Sequence, residues 1–437
     1  AAGQLLFHLP IAGVWLSIGL MGAVMTWMLY GWLRPTWAFV GAFLAFINLG
    51  CYTYWSHTYW GGAPAAIGGA LVFGALPRLI ASRSALHAAL LAIGCVILAN
   101  SRPLEGFITC LPVAIIVVWL LVRTLILRRK FLGILLPPVL IFAVMIAGIL
   151  ASNRAITGNM FVMPQAQITK ELSSVPFFLW QKPGPEPLFT SPIFKQCEYQ
   201  FSRNYYQTKR SSFKGFYYWS TNNIANFINF YLGPALLVIL IMCLPCFIKS
   251  RKAVFAIGTI CLVAGFDAFG LSMLNQPNYI APLSCLIFFL AANGIRHVNA
   301  FRIKRSRIGR IAVVLLLLVT LGSAGSNIVV NRMRPAFRPW QKEHAYSRGE
   351  ERDRIINDLS SKRGRHCVVV RYGSNHFFAD EWVYNRADID GSRVIFAREL
   401  DTERNRDLVR YFSDRTFWLL DVYDDNHKPR LTQWAGN

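Results

Sequence analysis

Long apolar runs separated by short polar turns fill most of this chain, and the pattern changes only near its end. Ten runs, at 11–31, 36–51, 63–80, 86–100, 106–123, 131–151, 227–248, 253–273, 279–295 and 311–330, come near the length a membrane-crossing helix needs, about 20 residues. From about residue 335 the sequence becomes ordinary. "HCVVVRYG" (366–373), "SRVIFAR" (392–398) and "RTFWLLDVY" (415–423) read as strands. "DTERNRDLVRYF" (401–412) reads as a helix capped by Asp401 or Thr402, with Leu408, Tyr411 and Phe412 on one side. The pattern predicts a polytopic α-helical membrane protein of about ten transmembrane helices over residues 1–331. A long loop (152–226) interrupts it, and a small soluble α/β domain follows over 332–437.

Charge adds orientation. Only 15% of residues are charged, against about 25% in a soluble protein. The net charge is +23, and the excess lies in the apolar part: 25 Lys/Arg against 5 Asp/Glu in residues 1–330, 20 against 17 in 331–437. It gathers in alternate short loops, at Arg123–Lys130, Lys249–Lys252 and Arg296–Arg310, with weaker marks at Arg34 and Arg78/Arg83. That is the positive-inside pattern of a polytopic protein, and it excludes the basic soluble face of a nucleic-acid binder. The other connections then face outward, as do the N-terminus and the C-terminal domain. The opening "AAGQLLFHLP" has no Met and no charged n-region, so it is not a signal peptide. An outward N-terminus leads us to expect a further helix upstream of Ala1.

The outward turns hold the chemistry. "CYTYWSHTYWGGAP" (51–64) offers His57, Tyr59 and Trp60 beside Tyr52, Tyr54 and Trp55. It is either an aromatic belt at the lipid headgroups or a wall facing a sugar or lipid. "ILANSRPLEGFITCLP" (97–112) places Arg102, Pro103 and the chain's first acid, Glu105, between two apolar runs. Charge at membrane depth is costly and usually functional, and a guanidinium suits phosphate oxygens; the alternative is an interface turn in which the two residues pair. "LNQPNYIAPLS" (274–284) supplies Asn275, Asn278 and Tyr279, and Asp267 just before it is the one acid inside a predicted helix. It is a functional candidate or a packing partner. The 152–226 loop is basic and long enough to cover an anionic lipid, or to be a plain folded insertion. Cysteines lie mostly in apolar runs. "CLPC" (243–246) lacks a second ligand pair, so small apolar residues in a helix explain it better than a metal site.

These motifs resemble the GT-C class of integral-membrane glycosyltransferases, in particular the mannosyl- and aminoarabinosyl-transferase type that uses a polyprenyl-phosphate sugar donor. The likeness runs through residues 11–295, in "YWSHTYWGGAPAAIGGALVFGALPRL", "ILANSRPLEG" and "NYIAPL". The chain resembles more closely an uncharacterised bacterial group sharing "ANSRP-x-EG", "YLGP" (231–234) and "EWVYNRADID" (381–390). It departs from that group at Asn278, where the group's motif has His. The resemblance implies a bacterial inner-membrane enzyme with a periplasmic C-terminal domain. It implies inverting transfer from a polyprenyl-phosphate-linked sugar to a lipid, glycan or protein acceptor, with membrane lipid as a further partner. Arg102 would bind the donor phosphate, and Glu105 would orient Arg102 or hold a sugar hydroxyl. His57, Tyr59, Trp60, Asn278 and Tyr279 would line the donor site. In such families the catalytic carboxylate lies in the first outward loop. Here that loop would fall upstream of Ala1, so this chain would be a fragment without its catalytic acid and inactive by itself. No cofactor is called for. A divalent cation is conceivable at Glu381, Asp388 and Asp390, although surface acids explain them as well. A transporter or lipid flippase, and a membrane-anchored scaffold, are the rival readings.

Overall fold

The computed structural model describes residues 2–51, 53–60, 62–126, 131–189, 195–271, 276–302, 306–333, 348–373, 376, 380–386, 388–423 and 427–434. Tyr52, Asn275 and the basic residues Arg128, Arg129, Lys130, Lys304 and Arg305 lie outside the described residues. The chain forms two compact units, Ala1–Val329 and Val330–Asn437.

The first unit is helical. Among the described residues, six helices are long and apolar enough to cross a membrane: Pro10–Tyr30, Gly62–Ser82, Pro103–Arg123, Leu132–Thr157, Arg251–Gly270 and Pro277–Ala300. Three further apolar helices are shorter, Pro35–Cys51, Ala85–Ser101 and Ile308–Gly322, and Phe213–Tyr231 with Gly233–Met242 forms a pair bent by 99°. This is a membrane protein. Among the described residues every predicted apolar run is mainly helical, but six helices reach full spanning length. Prolines set several starts: Pro10 and Pro35 occupy the first helical turn, where a missing N–H leaves nothing unsatisfied. The bend follows from Gly233, whose φ of +62° turns the chain where a side chain would be strained.

Gly62–Ser82 and Pro277–Ala300 form the interior, with 67% and 94% of their apolar windows buried. Small residues allow this. A methyl at Gly69 would stand 1.9 Å from the Pro282 carbonyl oxygen, and one at Gly74 would stand 2.3 Å from the Trp27 ring. Close backbone approach through Gly and Ala is how helices pack tightly within a bilayer.

Local departures from the α-helix appear where the sequence shows only apolar continuity. Phe46–Cys51 and Phe266–Gly270 are π-helical, and Pro277–Leu283 is 3₁₀. The predicted 152–226 loop contains the helix Ser202–Ser211, and the helix Phe213–Tyr231 begins inside it. Its earlier part is tied to the helical body: Leu179 N donates to Gly270 O at 3.1 Å, and Phe178 pairs with Leu271 as an isolated bridge.

The second unit is a four-stranded sheet of order β2-β1-β3-β4, with β1 Arg365–Tyr372, β2 Val394–Arg398, β3 Arg415–Val422 and β4 Arg430–Gln433. β1 runs parallel to β2 (His366 opposite Val394) and to β3 (His366 opposite Thr416); β4 is antiparallel to β3. Val368 and Val370 pack with Ile355 and Leu359 of the helix Arg348–Ser361, while Cys367 and Val369 face Leu408 and Phe412. Covered on both faces, the central strand reads as the continuous apolar run "CVVV". Asp401 is the cap of Thr402–Tyr411, its Oδ1 accepting from Arg404 N at 2.9 Å. Tyr411, expected on the packed side, is 69% exposed and donates to Asp390.

Candidate functional site

Three turns of the helical unit converge on a buried polar cluster. The first is "NSRPLEG". The helix Ala85–Ser101 ends as Arg102 N donates to Leu98 O at 2.8 Å. Pro103 starts the next helix at once, and Gly106 N donates back to Arg102 O at 2.7 Å. The hairpin is tight at Gly106, where a methyl would lie 2.8 Å from the Leu98 Cβ. Glu105 sits in the first turn of its helix and is 6% exposed, an end whose N–H groups favour an anion.

The second turn is Pro277–Leu283. Its Tyr279 ring lies under the Arg102 guanidinium, 4.3 Å from centroid to Cζ, a cation–π brace that fixes a long side chain. Neighbouring Asn278 is buried, and its Oδ1 has no hydrogen-bond partner among the described residues. The Tyr231 hydroxyl donates to Pro277 O at 2.7 Å and holds this turn in place.

The third is the π-helical turn Phe266–Gly270 with fully buried Asp267. Glu105, Lys209 and Arg102 all lie within its electrostatic reach. Lys209 comes from the helix Ser202–Ser211. It is fully buried, and its Nζ donates to Ala268 O at 2.7 Å and Leu271 O at 2.9 Å. Burial pushes the Lys209 ammonium down to about 8, with Asp267 opposing. Burial likewise pushes the Tyr205 phenol up to about 12, against the hydrogen bond from Asn223 at 3.3 Å. The cluster thus contains two acids and two cations. Ser220 Oγ and Asn223 Oδ1 are also buried without a partner among the described residues. Buried polar atoms normally find one, and Asn278 Oδ1 shares this lack among the described residues.

Arg102, Glu105, Asp267, Asn278 and Tyr279 are therefore brought together. His57, Tyr59 and Trp60 are not: they lie on the exposed side of their turn, Tyr59 and Trp60 at 67% and 66%. The same turn sends Tyr54 and Trp55 inward. Trp55 is 1% exposed, packs on Phe230 and Tyr231, and fits only because residue 62 is Gly. Tyr54 lies within electrostatic reach of Arg102. Sequence reasoning missed Tyr205 and Asn223, did not single out Lys209 among the cations of its loop, and named Tyr54 only as part of the aromatic turn. A signal for Lys209 existed: Tyr205 and Lys209 are i, i+4 neighbours and so share a helix face.

Beside Lys209 lies an open groove of about 410 Å³, lined by Leu179, Trp180, Arg210, Ser212, Phe213, Phe216 and Phe269. Arg210 donates to Gln181 O at 3.1 Å and lies over Tyr206. The groove is aromatic with a cationic edge.

No group of three or more metal-ligating side chains occurs among the described residues. In the second unit Glu381 is engaged by Tyr372 and Arg398, Asp388 caps Gly391 N at 2.8 Å, and Asp390 accepts from Tyr411 at 3.1 Å. These three acids are spent on separate structural bonds. In "CLPC", Cys243 is buried and Cys246 exposed.

Fold and site define a polytopic helical membrane protein with a buried cluster of acidic, basic and amide side chains in its helical unit and a small, mostly parallel sheet unit. Comparison with protein-family models, with curated proteins and with solved structures finds no match to this chain.

Proposed function

We propose that the protein acts as a bacterial inner-membrane glycosyltransferase that moves a sugar from a polyprenyl-phosphate donor to an acceptor on the periplasmic face. In this reading the chain crosses the membrane ten times, with the sheet unit outside. The observation that supports it best is the braced guanidinium of Arg102, beside buried Asn278 Oδ1 and two buried carboxyl groups. A fixed cation of this kind binds a phosphodiester-like donor. It also stabilises the charge that builds on the departing lipid phosphate. Glu105 and the amides of Asn278 and Asn223 are the sugar-facing candidates, and the groove beside Lys209 is wide and apolar enough for the first isoprenyl units.

The test uses the protein expressed from its native reading frame. A strain lacking it should accumulate the polyprenyl-phosphate sugar, and wild type should clear that pool. Arg102→Ala should fail to do so while reaching the membrane at normal abundance. Loss of a fixed donor to a developing oxyanion costs about 10²–10³ in rate. Clearance by Arg102→Ala at the wild-type rate refutes the assignment.

One observation favours a second reading. The 99° break between Phe213–Tyr231 and Gly233–Met242 is the kind of discontinuous helix that lines transport sites. A flippase would move the lipid-linked sugar across vesicles without changing its mass; a transferase releases the free lipid phosphate.

A further inference from the structure

Eight of the nine cysteines have described side chains, all of them free thiols, and two of them face each other. Cys95 Sγ and Cys110 Sγ are 3.7 Å apart, on the two helices joined by the Arg102 turn. The register that brings them together is built in. Gly106 packs against Leu98 with no room for a side chain. In this antiparallel hairpin, three residues before Leu98 and four after Gly106 come round to the same faces, one turn deeper. Those positions are Cys95 and Cys110. Gly94 pins the first helix from behind, since a methyl there would lie 2.8 Å from Gly68 O. Both thiols are half-buried, so a small apolar reagent can reach them.

We infer that Cys95 and Cys110 are a reversible dithiol pair whose disulfide staples the hairpin presenting Arg102 and Glu105. Bonding needs the sulfurs at about 2.05 Å. The required approach of about 1.7 Å from the present 3.7 Å is within side-chain adjustment. The reaction is exchange with a disulfide oxidant, either a small molecule or a protein. One cysteine thiolate attacks the oxidant disulfide, displaces one thiol and leaves a mixed disulfide. The second thiolate then attacks the cysteine sulfur of that mixed disulfide, forming Sγ–Sγ and displacing the second thiol. Two cysteine thiols are oxidised, one disulfide is reduced to two thiols, and the two protons pass to the leaving thiols. The two cysteines are 15 positions apart, and the loop they would close contains Arg102 and Glu105. The staple therefore sets the separation of the helix ends that carry them, whatever reaction the site performs.

The test treats the full chain, in detergent or nanodiscs, with 4,4′-dithiodipyridine, which enters apolar regions. Alkylation and peptide mass spectrometry follow. The expected product is a Cys95–Cys110 cross-link, lighter by two hydrogens and free of pyridyl groups, opened again by dithiothreitol. In Cys95→Ser or Cys110→Ser the remaining cysteine should instead keep a stable pyridyl adduct, because its resolving partner is gone. In the wild type, persistent pyridyl adducts on both cysteines would overturn the inference. So would two unreacted thiols while exposed Cys246 and Cys261 are consumed.

Discussion

Leu132–Thr157 and Pro277–Ala300 are both apolar helices of spanning length, yet they occupy opposite environments. The first has the higher mean hydropathy, 2.7, and only 6% of its window is buried; the second has 1.5, and 94% is buried. In water the order would be reversed. In a bilayer the lipid tails are as apolar as leucine, so hydrophobicity marks the lipid-facing helix. The interior helix is recognised instead by small residues and by buried polar side chains. Pro277–Ala300 contains Asn278, Ser284 and Asn293, all buried. Polarity is therefore the guide to the centre of this unit, and the charged cluster lies where that guide points.

The largest effect should come from breaking the close approach on the buried side. Gly69→Leu places a branched side chain where even a methyl meets Pro282 O at 1.9 Å. No flexible side chain is there to yield, so the cost should exceed about 3 kcal/mol, the upper end of ordinary overpacking. Size-exclusion profiles in detergent should show aggregation or loss of the protein. A monodisperse Gly69→Leu variant with wild-type melting would break the claim that this contact centres the fold.

Lys209→Met sharpens the comparison from the polar side. It leaves two buried carbonyl oxygens without their donor and removes a cation beside Asp267. Leaving buried acceptors without their donor costs about 1–3 kcal/mol, and we expect the low end because methionine fills the volume. The pH dependence has a definite sign. Below about pH 8 Lys209 is charged in both folded and unfolded chains. Between about 8 and its ordinary 10.5 the unfolded chain binds the proton more strongly. Stability rises with pH wherever the unfolded state holds more protons. The melting temperature of wild type should therefore gain on that of Lys209→Met across this window. A difference that stays constant from pH 7 to about 10 would remove Lys209 titration from the account.

The helical runs were legible because each is long and bounded by Pro, Ser or a cation. The three longer strands were legible because "CVVV" and "FWLL" are dense in β-formers. The helix Arg348–Ser361 was not: it buries only Ile355 and Leu359, one i, i+4 pair in a charged stretch. Strand β4 is short, and its ladder with β3 is a long-range fact. Within the cluster, Arg102, Glu105 and Asp267 stood out because charge is rare among apolar runs. Lys209 did not, being one cation among several in a basic segment; its role depends on docking under the Phe266–Gly270 turn. The aromatic turn shows the same limit. Tyr54 and Trp55 point in and Tyr59 and Trp60 point out, and composition cannot separate them.

The smallest effect belongs to the lipid-facing helix. Val144 is 74% exposed on Leu132–Thr157, so Val144→Ala removes surface that the folded unit does not bury. The change in detergent stability should be within about 0.5 kcal/mol, as for surface positions generally. The informative contrast is Ala291→Val, which adds a similar volume to a fully buried position of the interior helix. That substitution should cost about 1–3 kcal/mol through overpacking, although both changes exchange the same two residue types. Equal melting shifts for the two would mean that Leu132–Thr157 packs against protein, through association with another chain. The hydropathy contrast between the two helices would then reflect an interface between proteins instead of contact with lipid.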